Sequence, residues 1–68
     1  MLLTVAIERE DDGRWLAEVV DLAGVMAYGE SRDQAVARVE ALALRVLADR
    51  LENEEAGPDL VTVSFQAA

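Results

Sequence analysis

The chain contains no cysteine and no histidine, and all six of its basic residues are arginine. Without cysteine there are no disulfide staples, thiolate zinc sites or thiol nucleophiles, and without histidine there is no imidazole acid–base chemistry. Proline occurs once, at Pro58, and glycine four times, so turn punctuation is sparse. No apolar run approaches the ~18 residues that a membrane-spanning helix requires, and Met1-Leu2-Leu3-Thr4 lacks a positive segment ahead of an apolar one. A cytoplasmic protein without a membrane partner is therefore expected. At 68 residues the chain is one domain, and a core of that size rarely supplies more than about 3–5 kcal/mol. With metal and disulfide staples excluded, the expected support is another protein chain.

Charge of one sign is also scarce. Fourteen acidic residues face six arginines, for a formal net charge of −8. Arg9, Arg14, Arg32, Arg38, Arg45 and Arg50 are spread singly along the chain. Nucleic-acid binding needs clustered cations that neutralise phosphates, so direct DNA binding by this chain is not expected. Complementary fields favour a basic protein partner.

What is present is a clear alternation. Residues 2–9 place Leu3, Val5 and Ile7 on one face, and residues 14–20 place Trp15, Ala17 and Val19 opposite Leu16, Glu18 and Val20, as half-buried strands do. Asp12-Gly13 between these runs predicts a two-residue type I′ hairpin turn, which needs positive φ at both central residues. A third short strand is expected near Val25–Tyr28, after the Asp21-Leu22-Ala23-Gly24 turn. A fourth, over residues 60–66, turns Val61, Val63 and Phe65 to one side. Gly24 and Gly29 are read as supplying turn geometry.

Ser31 followed by Gln34 is a capping box, in which the hydroxyl caps a helical N–H and the amide reaches back. The helix should run from Arg32 to about Asn53, before Gly57-Pro58. Its period puts Ala35, Val36, Val39, Leu42, Ala43, Val46 and Leu47 on one stripe, which packs on the sheet. Ala37, Leu44, Ala48 and Leu51 lie well round the cylinder, beyond the reach of one sheet, and are candidates for self-association. The fold class is thus α+β, in the order β-β-β-α-β, a mainly antiparallel sheet with one long helix packed on one face.

Asp11, Asp12, Gly13 and Trp15, then Asp21, Leu22 and Gly24, then Gly29, Ser31, Gln34 and Ala35 together resemble the HicB-like antitoxin family. Its pattern is an acidic D-G hairpin with a following aromatic residue, D-L-x-G, and G-x-[ST]-x-x-[EQ]-A opening a helix. The match spans about half the chain in one register. Val20, Ala23 and Val25 stand where the family often has Pro, Pro and Cys. The resemblance implies a partial ribonuclease H-like fold and membership of a toxin–antitoxin pair, in which the antitoxin masks a small basic HicA-like ribonuclease. Many such proteins carry a further DNA-binding domain; since this chain stops at Ala68, operator binding is expected to be absent.

Three functions stay open. The first is an antitoxin-like module that uses Asp11, Asp12 and Asp21 with Trp15 or Tyr28 as aromatic anchors. The second is an orphan homo-oligomer of structural or regulatory role. The third is a Mg²⁺-dependent nuclease built on Glu8 and Glu18 across the hairpin with Asp21. No cofactor is indicated: Asp11-Asp12-Gly13 is out of register with a calcium loop, and no glycine-rich phosphate loop is present.

Overall fold

A computed structural model describes residues 1–53 and 62–68. The elements are β1 (Leu2–Arg9), β2 (Trp15–Val19), β3 (Met26–Gly29), α1 (Arg32–Glu52) and β4 (Ser64–Ala67). They form a four-stranded sheet in the order β3-β2-β1-β4, with α1 packed on one face. The hairpins β1–β2 and β2–β3 are antiparallel, while β4 returns parallel to β1.

Alternation decides which face of each strand is covered. Leu3, Val5, Ala17 and Val19 turn inward and are buried, and from the helix Ala35, Val39, Ala43 and Leu47 close over them. Ile7, Trp15, Ala27, Leu42, Val46, Val63 and Phe65 pack around that cluster. No polar or charged side chain is buried among the described residues. The core is held by apolar burial alone, which ties fold stability to the fit between helix and sheet.

The hairpin differs from the predicted two-residue turn. The Glu10 N–H donates to the Arg14 carbonyl (2.7 Å) and the Gly13 N–H to the Glu10 carbonyl (3.0 Å), so Asp11, Asp12 and Gly13 form a three-residue loop. Gly13 occupies the left-handed position at φ 90°, as a turn closed by a glycine bulge requires. Asp12 accounts for the longer loop. Its carboxylate accepts from the Arg14 backbone N–H at 3.0 Å and from the Arg14 Nε at 2.7 Å, an Asx-type arrangement that competes with the tighter turn.

Between β2 and β3 the Val25 N–H donates to the Leu22 carbonyl at 3.3 Å, with Gly24 at φ 77°. That is the turn role expected of Gly24. Gly29 has a different role. It sits at the end of β3 opposite Trp15, and a Cβ there would stand 2.9 Å from Ala35 Cα. Its missing side chain lets β3 touch the first turn of α1.

Ser31 caps α1 by accepting the Gln34 N–H at 3.1 Å, and the Gln34 side chain reaches back to the Glu30 N–H at 2.7 Å. The back-bond thus lands one residue ahead of the cap. Asn53 closes the other end, its backbone and side-chain nitrogens both donating to the Asp49 carbonyl. Gly57-Pro58 and Val61 lie outside the described residues. No helix among the described residues is long and apolar enough to cross a membrane.

Candidate functional site

The sheet has one face free of helix, and alternation gives that face its composition. One row across the strands is Glu8, Leu16 and Tyr28, and the next is Ala6, Glu18 and Met26. Thr4 and Gln66 follow, joined by a side-chain hydrogen bond of 3.3 Å. Met26 and Tyr28 are exposed, as are Val20 just past β2 and Leu2 at the start of β1. These four are most of the exposed large apolar side chains of the described residues; the other two, Leu44 and Leu51, are on α1. Alternation thus gathers four exposed apolar side chains on one sheet face, which makes that face the candidate interaction surface.

Two carboxylates stand within it. Glu8 pairs with Leu16 and Glu18 with Ala6, so Glu8 and Glu18 are diagonal neighbours, roughly 7–8 Å apart. They share a face without being directly opposite. The single ion pair among the described residues joins Arg14 and Asp12 at the hairpin tip, so neither glutamate has a cation of its own there.

At the rim of this face a chain of contacts runs from Asp12 to Tyr28. Arg14 is held by Asp12 and lies over the Tyr28 ring, 4.3 Å from its centroid, a cation–π geometry. The Tyr28 carbonyl accepts from Arg38 Nη1 at 3.0 Å. The Arg14 backbone N–H, and next its side chain, hold the Asp12 carboxyl below its ordinary value, while the same ion pair raises Arg14. Ionised Asp12 therefore fixes Arg14, and Arg14 fixes the face of Tyr28 turned to solvent.

The five residues expected to form one binding surface are separated. Asp11, Asp12 and Tyr28 lie at the tip and the adjoining open face. Trp15 points to the helix side, packs against the core, and has Arg9 5.9 Å from its ring centroid. Asp21 is at the other end of the five-residue β2, about 17 Å along the strand at ~3.3 Å per residue. One Asp21 oxygen accepts the Thr4 backbone N–H at 2.7 Å, taking over the ladder where β2 ends. Among the described residues no group of three or more acidic side chains is placed to hold a metal ion, so Glu8, Glu18 and Asp21 are not gathered into one site.

Leu16, Val20 and Met26 are the surface residues that residue-type reasoning passed over. Their signal was parity: each shares its strand face with Glu18 or Tyr28. Ala37, Leu44, Ala48 and Leu51 all lie exposed on α1, on the opposite side of the molecule from the open sheet. A shallow groove of about 210 Å³ runs between α1 and the β1–β4 side, lined by Val5, Ile7, Val36 and Phe65 with Arg32 and Glu40. It brings together no set of convergent polar groups. Comparison of the chain with family models, curated proteins and solved structures gave no match in any of the three.

Proposed function

We propose that the chain is an antitoxin-like binding module of a toxin–antitoxin pair, which masks a small basic HicA-like ribonuclease with its open sheet face. The observation that carries this reading is the placement of Glu8 and Glu18, neither in an ion pair among the described residues, among Ala6, Leu16, Met26 and Tyr28. Covering that face desolvates both carboxylates, which is costly unless the occupant brings a cation to each. The face therefore accepts a basic surface with apolar side chains between its cations, and it disfavours a neutral or acidic one. A net charge of −8 adds long-range attraction for the same partner. The motif resemblance around the D-G hairpin, the D-L-x-G turn and the capped helix start names the partner's class.

Masking follows from competition. Cations that bind RNA phosphates are the groups Glu8 and Glu18 would engage, so cover by this face removes the ribonuclease from its substrate without any chemistry by the antitoxin. The test begins with capture from a lysate of the chain's own source at low salt. A small basic protein is expected in stoichiometric amount; its cleavage of RNA should stop at one equivalent of the chain and resume with Glu8→Lys plus Glu18→Lys. Cleavage that continues at excess chain refutes masking.

A second reading, an orphan homo-oligomer without a toxin, is favoured by Leu44 and Leu51, each half-exposed on α1. It predicts self-association and no basic partner.

A further inference from the structure

The outward side of α1 carries Ala37, Ala41, Leu44, Ala48 and Leu51 at alternating steps of four and three residues, the spacing of a coiled-coil seam. This side is opposite the core stripe of Ala35, Val39, Ala43 and Leu47, and none of its five residues packs against the core. Leu44 and Leu51 are 50% and 51% exposed. The three alanines permit close approach of a second helix, toward the lower end of the ~8–10 Å range of interaxial distances.

The flanking charges identify the occupant. Asp33 and Glu40 border the seam on one side, and Arg38 and Arg45 on the other. Asp33 precedes Arg38 by five residues, and Glu40 precedes Arg45 by five. Residues five apart do not face each other within one helix, where neighbours are three or four apart. Among the described residues none of these four takes part in an ion pair, and Arg38 spends one N–H on the Tyr28 carbonyl. Five is, however, the offset at which the two flanks of parallel, in-register helices meet across a coiled coil.

We infer that α1 pairs with α1 of a second copy, parallel and in register, through the Ala37–Ala41–Leu44–Ala48–Leu51 seam. Asp33 then meets Arg38 of the other copy and Glu40 meets its Arg45, and two-fold symmetry repeats each pair. An antiparallel arrangement would set the Glu40 flank against itself and Arg45 against Arg45, leaving Arg38 with Glu52 as its favourable meeting. The parallel pairing holds whether or not the chain also masks a toxin, because it uses the other side of the molecule.

Sedimentation equilibrium of the 68-residue chain should show a dimer that weakens with salt. Arg45→Glu should weaken it about tenfold at low salt, and Glu40→Arg combined with Arg45→Glu should restore it. Leu44→Asp with Leu51→Asp should give monomers with an unchanged helical circular dichroism spectrum, since both residues stand outside the core. The chain has no cysteine of its own, so an introduced one reports alone. Ala37→Cys should form a disulfide with its own counterpart. Cross-linking only when Ala37→Cys is mixed with Ala48→Cys means antiparallel pairing and overturns the inference. So does a monomer at concentrations on the order of 100 µM, or a dimer indifferent to Leu44→Asp with Leu51→Asp.

Discussion

Gly29→Ala adds a single methyl group where β3 meets the start of α1. The added Cβ would stand 2.9 Å from both Ala35 Cα and the Gln34 carbonyl carbon. Those are backbone atoms of a helical turn held by the Ser31 cap and by the Gln34 bond to Glu30, so no flexible side chain can move aside. Relief requires shifting the helix start away from β3. Overpacking of this kind costs about 1–3 kcal/mol, and a clash with fixed backbone belongs near the upper end. Against the ~3–5 kcal/mol that a core this small supplies, that is most of the stability. At ~4–8 °C per kcal/mol for a small domain, a loss of about 2–3 kcal/mol lowers Tm by roughly 10–20 °C. Urea and thermal melts followed by circular dichroism give both quantities. Gly13→Ala is the control. Nothing lies within 4 Å of a Cβ there, but φ is +90°, so its cost is left-handed strain of about 1 kcal/mol, which Gly13→Asn should partly relieve. Asn at Gly29 should relieve nothing. A Gly29→Ala loss under about 0.5 kcal/mol would refute the close-approach argument.

Two further outcomes follow from local geometry. Ser31→Ala removes the acceptor of the Gln34 N–H and should cost about 1 kcal/mol in urea melts, with Ser31→Asp close to wild type. Asp12 has its pKa lowered from 3.8 by Arg14, so its contribution to the hairpin is fully present above that value and is lost as pH falls through the lower folded value. Carboxyl and Tyr28 ring resonances followed by NMR should therefore move together below about pH 4, and Asp12→Asn should abolish that coupled shift.

Much of the fold was legible because its signals are local and periodic. Two-residue alternation assigned Leu3, Val5, Ala17 and Val19 to the buried face, and the 3.6-residue period found the helix stripe through Ala35, Val39, Ala43 and Leu47. The hairpin loop was misread because Asp-Gly serves both two-residue and three-residue loops. Which one forms depends on the bonds Asp12 makes to Arg14, a competition that the dipeptide alone does not reveal. Gly29 was misread for a different reason: its constraint is the distance to Ala35, which exists only once strand and helix are packed. The parallel seating of β4 beside β1 is likewise a tertiary result.

The candidate surface was less legible, since its residues were chosen by type and a sheet sorts residues by parity. Trp15 and Tyr28 are both aromatic and lie across from one another's neighbours on adjacent strands, yet one faces the core and the other faces solvent. Parity also places the two exposed surfaces of the described residues back to back, with the open sheet on one side and the α1 seam on the other. Occupying one leaves the other free. A pair joined through α1 therefore turns both Glu8–Glu18 faces outward, and a basic partner would bind it with two-to-two stoichiometry. Disrupting the seam with Leu44→Asp and Leu51→Asp should then convert the complex to one-to-one with little change in the affinity of each face, because no residue of the seam touches the sheet's open side. Light scattering of the complex distinguishes the two masses, and loss of partner binding in the seam variant would show that the two surfaces are not independent.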